Sequence, residues 1–284
     1  MSQTKVIPDH TAVRVALWRA LHVELDSAPS VVADTVGLKL IAPEDGWKNR
    51  GDMHPMGTRG YRASIVGRAR LFEDIVEEKI KNGVDQYVIL GAGVDTFAQR
   101  RPDLAAKVKV FEIDQPDTQA WKRERLEETG FGIAGNLVLV PVDFESGESW
   151  RKKLSQHGFN DQKPAVVAST GVSMYLTRET NKATMTEISK MAPGTTFAMT
   201  FMLPLEMLPA EERPGHERVY AAAKAAGTPF ISFFKPPEAV ALALEAGFKT
   251  AKHVSREEVI EKYFKGRADG LEPSPGEEFL IATV

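Results

Sequence analysis

Short apolar runs alternate with amphipathic stretches along most of the chain after residue 83. Five candidate strands occur at Gln86–Gly91, Val108–Ile113, Leu137–Val142, Ala165–Thr170 and Thr195–Phe201. A helix at Glu238–Gly247 then precedes strands at Phe248–His253 and Phe279–Val284, with only a short charged segment between these last two. Nearly continuous apolar strands separated by helices are typical of a mostly parallel sheet covered on both faces. The pattern predicts an α/β fold with a doubly wound seven-stranded sheet over 83–284.

The first 80 or so residues predict helices. Asp9 can cap a helix whose apolar positions recur at three-and-four spacing, namely Val13, Ala16, Leu17, Ala20, Leu21 and Leu25. Prolines and glycines indicate a loop from Ile41 to Gly60. A second amphipathic helix is predicted over Tyr61–Asn82, and Gly83 is suited to end it. Residues 1–82 are therefore expected to form a helical cap within a single domain over 1–284.

One segment, Leu203–Pro237, interrupts the alternation of strands and helices. It places six prolines around one helical stretch, Glu217–Ala226, and it is rich in phenylalanine and methionine. An irregular, aromatic insertion after the C-terminal end of a strand is well placed to cover a ligand crevice. A surface excursion with its own small core would give the same pattern, so both interpretations stand at this point.

Composition and charge narrow the classes of function. The apolar content of 43% and the charged content of 26% are ordinary for a globular protein, and the net charge of −3 comes without a strongly basic block. We therefore expect no nucleic-acid partner. No apolar run approaches the roughly 20 residues of a membrane span, so no membrane partner is expected and a cytoplasmic location is predicted. The absence of cysteine excludes thiolate chemistry, and the six histidines lack metal-binding spacing, so no metal is expected.

Glycines follow the first predicted strand in the run Val88–Asp95 (VILGAGVD). Glycine lets the backbone turn tightly and approach a ligand closely at the carboxyl end of a strand. Several classes of nucleotide-binding fold share this feature. The third glycine of a dinucleotide fingerprint would fall where this chain has Thr96, which counts against pyrophosphate binding.

Acidic or small polar residues also end the next three strands. Glu112 and Asp114 end the second strand, where a carboxylate can accept hydrogen bonds from both hydroxyls of a ribose, and their two-residue spacing leaves both open. Asp143 ends the third strand, where an acid could bind an adenine amino group with Phe144 against the ring. Thr170 ends the fourth. Together these positions suit one adenosine-sized ligand lying across the crevice.

The motifs LGAGVDT, FEIDQP, VDF and GVSMYL, preceded by GRARLFED at Gly67–Asp74, resemble the leucine carboxyl methyltransferase family in their order and spacing. The likeness is greater to its bacterial branch of O-methyltransferases, and it extends over about 61–201. The resemblance implies a class I, Rossmann-like methyltransferase fold that uses S-adenosyl-L-methionine.

The resemblance also implies roles for particular residues. It favours Asp114 over Glu112 as the residue that binds the ribose. It assigns Arg68 to the cofactor carboxylate, with Arg62 as the second candidate. The alternative role for Arg68 is a structural ion pair within the core. Many members of the family have a glutamate near the cofactor amino group, but this chain has Thr170 there. The remaining implied positions are Gly91, Ala92 and Gly93 at the methionine end, Asp143 and Phe144 at the adenine, and Tyr175 at the family's tyrosine.

The expected activity is methylation of an oxygen atom of a small molecule or a carboxylate. The acceptor would bind between the N-terminal helices and the Leu203–Pro237 insertion. The sequence nominates no clear general base, and Tyr175 and His216 are weak candidates. Two other functions compete: an NAD-dependent oxidoreductase of Rossmann type, and a non-catalytic module that binds S-adenosylmethionine.

Overall fold

The computed structural model describes residues 10–144 and 147–284, so the predicted cap residue Asp9 lies outside the described residues. The helices are α1 (His10–Leu25), α2 (Val36–Ile41), α3 (Arg59–Lys81), α4 (Phe97–Arg100), α5 (Pro102–Ala105), α6 (Pro116–Glu128), α7 (Trp150–Gln156), α8 (Arg178–Ser189), α9 (Arg213–Ala225), α10 (Pro236–Glu245) and α11 (Arg256–Tyr263). The strands are β1 (Gln86–Leu90), β2 (Lys109–Asp114), β3 (Leu137–Pro141), β4 (Val166–Ser169), β5 (Thr196–Met202), β6 (Thr250–Val254) and β7 (Glu277–Thr283). Among these described helices, none is long and apolar enough to cross a bilayer.

The seven strands form one sheet in the order β3-β2-β1-β4-β5-β7-β6. β1 to β5 are parallel, whereas β7 runs antiparallel to both β5 and β6. The strand order reverses between β1 and β4, so a crevice opens there beyond the carboxyl ends of the strands. The predicted doubly wound, mostly parallel sheet of seven strands is confirmed.

Side chains of the central strands alternate between two apolar layers. Tyr87 and Ile89 of β1 belong to the layer that contains α3 and α11, and Val88 and Leu90 belong to the layer that contains α8 and α10. All five residues of β1 are buried because helices cover both faces. This is why the central strands have nearly continuous apolar sequences.

The two long predicted helices outside the core are present with shifted ends. α3 begins at Arg59, two residues before the predicted start, and Gly83 follows its end with a φ of +88°. α9 begins at Arg213 rather than Glu217, because Pro214 is accommodated in the first turn of a helix. Leu25 was expected on the buried face of α1, but it is the last residue of that helix and is 42% exposed.

The connection between β6 and β7 is more structured than the sequence predicted. It contains α11, which begins with a capping box in which Ser255 and Glu258 satisfy each other's backbone N–H groups. This serine–glutamate spacing is a helix-start signal that the charged composition obscured. The loop after α11 also contacts the N-terminal cap, since the Ser27 N–H donates to Asp269 at 2.7 Å and Arg267 donates to the Pro29 carbonyl at 2.8 Å.

Candidate active site

The glycine loop after β1 is held tightly between two neighbouring segments. The N–H groups of Gly91 and Ala92 donate to the Ile113 carbonyl at 2.9 and 3.1 Å. Gly91 has a φ of +68°, and a Cβ atom there would lie 2.6 Å from Cγ2 of Val172. Glycine is therefore required at position 91 for both its backbone conformation and its lack of a side chain.

Asp114 ties the glycine loop to the end of β2. Its Oδ2 accepts a hydrogen bond from the Gly93 N–H at 2.6 Å, and its Oδ1 accepts one from the Gln115 N–H at 2.8 Å. Burial raises the pKa of Asp114, although these two backbone donors act in the opposite direction. The Thr118 side chain acts on Asp114 in the same direction. A carboxylate has about four acceptor positions, so Asp114 keeps an acceptor position for a ligand hydroxyl.

Glu112, the alternative acid on β2, is not available to a ligand. It is fully buried and bonded to Lys122 of α6, which also donates to the Asp95 carbonyl at 2.6 Å. Burial raises the pKa of Glu112 to about 7. Glu112 therefore belongs to the core, and Asp114 is the acid at the crevice, as the resemblance favoured.

A first cavity, of about 220 Å³, opens at the carboxyl ends of β1, β2 and β4; we call it the inner cavity. It is lined by seven of the residues that the sequence selected, namely Arg68, Gly91, Ala92, Gly93, Asp114, Thr170 and Tyr175. Two other selected residues, Asp143 and Phe144, lie outside this lining, and Phe144 is 45% exposed. The Val142 N–H donates to the Asp114 carbonyl at 2.9 Å, which keeps the segment with Asp143 beside Asp114. The binding roles of all these residues stay predictions.

Arg68 stands between the inner cavity and a second one. Its guanidinium pairs with Glu277 of β7 at 2.8 Å, with side-chain exposures of 13% and 10%. A Cβ atom at Gly171 would lie 3.0 Å from the Arg68 Nη2, so glycine at 171 makes room for the guanidinium. Arg68 therefore forms the structural ion pair that was the alternative to binding the cofactor carboxylate. It also lines the inner cavity.

Arg62, the second candidate for the cofactor carboxylate, has its donors engaged within the N-terminal cap. Its side chain is buried and donates to Asp26 at 2.7 Å, to the Pro55 carbonyl at 2.6 Å and to the Thr58 hydroxyl at 2.9 Å. Arg62 is absent from the lining of the inner cavity. Because its donors are used within the cap, Arg62 stabilises the cap.

A buried polar network that the sequence did not reveal supports the glycine loop from α1. Arg19 donates to Asp34 at 2.6 Å and to the Val94 carbonyl at 2.6 Å, and the Thr96 hydroxyl donates to Asp34 at 2.6 Å. Burial acts to raise the pKa of Asp34, but Arg19 and Arg100 hold it below the usual value. Arg19 lies on the buried face of α1 with Ala16 and Ala20. A buried charge needs a partner, so a charged residue among these apolar positions was the feature of the sequence that could have revealed the network.

Replacing Gly93 with alanine is expected to weaken binding of S-adenosylhomocysteine about tenfold. The φ of +49° is strained for alanine, and its Cβ atom would lie 3.2 Å from the Cβ atom of Ala12. Isothermal titration calorimetry measures the loss, and Ala12→Gly in the same chain should restore part of it. Gly83→Ala is the matched control, since Gly83 has a φ of +88° but open space around it. Equal affinities of the Gly93 and Gly83 variants would contradict the prediction.

The second cavity, of about 530 Å³, adjoins the inner cavity at Arg68, Gly171 and Tyr175; we call it the outer cavity. Its aromatic lining residues are Trp18, Tyr61, Tyr175, Tyr220 and Phe230. The rings of Trp18 and Tyr61 stack with centroids 5.5 Å apart. The ring of Phe230 lies 5.2 Å from Tyr175 and 5.3 Å from Tyr220.

The Leu203–Pro237 insertion forms one wall of the outer cavity. His216, Val219, Tyr220 and Ala223 of α9 all line it, and they face residues of α1 and α3. The insertion therefore contributes a wall to a cavity, and its role in covering a substrate stays a prediction. His216 is buried, and this burial lowers the pKa of its imidazole.

The glycine loop does not lead into the long helix that a dinucleotide pyrophosphate uses. The helix that follows it, α4, has only four residues, and the hydroxyl of Thr96 is bonded to Asp34. Pyrophosphate binding depends on a helix N-terminus approached through glycines. The geometry therefore disfavours the NAD-dependent oxidoreductase.

The residues at the crevice fit S-adenosyl-L-methionine. Gly91 and Gly93 line the inner cavity, where a Cβ atom would press against Val172 or Ala12, and Asp114 offers an acceptor suited to a ribose hydroxyl. A seven-stranded sheet with its last strand inserted antiparallel, and with this loop and acid at adjacent strand ends, defines a class I methyltransferase dependent on S-adenosylmethionine.

The comparisons with known proteins agree and identify the family. The model of the leucine carboxyl methyltransferase family matches residues 12–189, and the chain belongs to this family. It is 32% identical to a candidate S-adenosyl-L-methionine-dependent methyltransferase of Bacillus subtilis (strain 168), YktD, over 72% of this chain and 67% of the relative. A similar protein of Mycolicibacterium smegmatis is 30% identical, over 75% of this chain and 71% of its own length.

A solved structure supports the fold independently. A candidate methyltransferase from Thermobifida fusca YX superimposes with a TM-score of 0.60 at 15% identity, over 99% of this chain and 96% of its own. At this identity the likeness concerns the fold alone.

Proposed function

We propose that this methyltransferase transfers the methyl group to an oxygen atom of a small-molecule acceptor bound in the outer cavity. The observation that carries the proposal is that the outer cavity meets the inner cavity at Arg68, Gly171 and Tyr175. When bound, S-adenosylmethionine supplies a methyl group on a sulfonium, and the sulfur keeps the electron pair of the bond that breaks. Arg68, Gly91, Ala92, Gly93, Asp114, Asp143, Phe144 and Thr170 would hold it.

The chain's main contribution is to position the acceptor. Alignment of two reactants within a closed site supplies several kcal/mol of the barrier reduction. Tyr175 lies at the junction of the two cavities, and it would orient the acceptor there. His216 lines the outer cavity, and with its pKa lowered by burial it is the neutral imidazole that could accept a proton from an acceptor hydroxyl.

A screen with radiolabelled S-adenosylmethionine tests the proposal against its alternatives. Alcohols, phenols and carboxylic acids should accept the label, whereas matched amines and thiols should not. Transfer only to nitrogen or sulfur would overturn O-methylation. Binding of the cofactor without transfer to any acceptor would support the non-catalytic module.

The pH profile separates a base role of His216 from a packing role. If His216 takes the proton, His216→Asn should lower kcat about a hundredfold for a neutral hydroxyl acceptor and remove the acidic limb of its pH profile. A carboxylate acceptor, which has no proton to lose, should be methylated at an unchanged kcat by the variant. An equal loss for both acceptors would mean that His216 only packs.

A further inference from the structure

We propose that the acceptor is a neutral, planar aromatic molecule with a hydroxyl group, bound among the five aromatic side chains of the outer cavity. This inference rests on the proposed O-methylation and narrows its acceptor. It depends on three properties of the cavity: its size, the nature of its walls and the pairing of its charges.

The size of the outer cavity suits a molecule of two or more fused rings. Its volume is about 530 Å³. Pockets for drug-sized ligands span roughly 300 to 1,000 Å³. The aromatic lining residues come from four separate parts of the chain, since Trp18 lies on α1, Tyr61 on α3, Tyr175 after β4, and Tyr220 with Phe230 on or after α9.

The walls of the outer cavity contain five aromatic side chains and two methionines. Met174 and Met202 line the cavity beside the five rings. Aromatic rings pair favourably in stacked or edge-on arrangements, and methionine sulfur also contacts rings favourably. The edge-on contact of Tyr175 with Phe230 (5.2 Å, 83°) and the stacked pair of Trp18 with Tyr61 (5.5 Å, 20°) bring ring faces and edges to the cavity. A flat ring system is therefore the best complement.

Two charged side chains that line the outer cavity, Arg68 and Glu277, neutralise each other. Arg68 and Glu277 form an ion pair at 2.8 Å, and both side chains are largely buried. Burial lowers the pKa of His216, and burial raises the pKa of Tyr220 to about 12, so both side chains are uncharged near pH 7. A carboxylate bound beside Arg68 would lose its hydration without gaining a cation of its own, because Arg68 is already paired with Glu277.

Arg14 favours a different acceptor, an aromatic acid. It lines the outer cavity, half-buried, with its guanidinium 5.8 Å from the ring centroid of Trp18. Within residues 10–144 and 147–284, no carboxylate pairs with it. An aromatic acid would use this charge, so acid and neutral acceptors must be compared directly.

A neutral hydroxyl acceptor also gives the reaction a balanced course. The acceptor oxygen forms a bond to the methyl carbon, the carbon–sulfur bond breaks with its electron pair on sulfur, and the hydroxyl proton passes to the base proposed above, the neutral imidazole of His216. The products are the methyl ether and the uncharged thioether.

Three matched probes test the inference: 2-naphthol, 2-naphthoate and decahydro-2-naphthol, each with S-adenosylmethionine and the 284-residue chain. We expect kcat/KM for 2-naphthol to exceed that of either other probe at least about tenfold, from ring contacts and charge matching. Higher kcat/KM for 2-naphthoate, or for a peptide ending in leucine, would overturn the inference and leave O-methylation intact. Transfer only to 2-naphthylamine would instead overturn the proposed function.

Two variants test the aromatic walls themselves. Tyr220→Leu and Phe230→Leu should each lower kcat/KM for 2-naphthol about tenfold, yet change it less than about threefold for decahydro-2-naphthol. Calorimetry with S-adenosylhomocysteine verifies that each variant folds and keeps its inner cavity. Phe131→Leu is the matched control, because Phe131 is 36% exposed and lies outside both cavities. Equal losses for the aromatic and saturated acceptors, or failure of 2-naphthol to bind the enzyme–S-adenosylhomocysteine complex, would refute the proposal.

Discussion

Replacing Asp114 and Asp143 together with alanine is expected to weaken binding of S-adenosylhomocysteine roughly a thousandfold. Hydrogen bonds to charged groups contribute about 1.5 to 3 kcal/mol each, and every 1.4 kcal/mol is a factor of ten. Asp114 has a second effect, because it also holds the Gly93 N–H at 2.6 Å. Its loss would both remove the ribose partner and release the glycine loop.

The single variants divide this effect between the two acids. Asp114→Ala should account for most of it, and Asp143→Ala for about tenfold, because only one hydrogen bond to the adenine is expected there. Asp117→Ala is the control, since Asp117 is an exposed acid in the first turn of α6. Isothermal titration calorimetry gives each affinity, and thermal unfolding verifies the fold. Unchanged affinity in the double variant would refute a cofactor held by acids at adjacent strand ends.

The sheet and the loop at its edge could be predicted because each depends on local sequence. β1 to β5 are buried on both faces, and this burial requires short runs of apolar residues. Gly91 and Gly93 adopt a positive φ, which few residues other than glycine adopt, so the glycines in the sequence indicate the turn. Asp114 is the last residue of β2, so its place at the edge of the sheet follows from the strand itself.

The partners of the charged residues could not be predicted, since they depend on distant parts of the chain. Arg68 pairs with Glu277, and Arg19 reaches both Asp34 and the Val94 carbonyl. Spacing along a helix places a charge on its buried face, but it does not say which carboxylate will meet it. The aromatic walls of the outer cavity could not be predicted for the same reason, because α1, α3 and α9 meet only in the folded molecule.

Lys122→Met is expected to destabilise the protein by about 3 to 5 kcal/mol at pH 8, because Glu112 then lies in the core without its partner and must either stay charged there or take up a proton far above its ordinary pKa. Glu112 and Lys122 are both fully buried, and the Glu112 Oε1 has no hydrogen-bond partner among the described residues. The variant also removes the donor to the Asp95 carbonyl. Denaturant unfolding measures the loss. Lys163→Met is the control, since its pair with Asp85 is about half exposed and such pairs contribute about 0 to 1 kcal/mol.

The pH dependence of this loss tests the ionisation of Glu112 directly. Burial raises the pKa of Glu112 from 4.5 to about 7 in the folded protein. Between these values the folded state binds more protons than the unfolded state, so the contribution of Glu112 to stability falls as pH rises from about 4.5 through about 7. The Lys122→Met penalty should therefore be smaller at pH 5.5, where Glu112 is protonated, than at pH 8. Adding Glu112→Gln should recover most of the loss at pH 8 and remove this pH dependence, since glutamine fills the same space without a charge. A penalty independent of pH would mean that Lys122 stabilises the core through packing and its bond to Asp95.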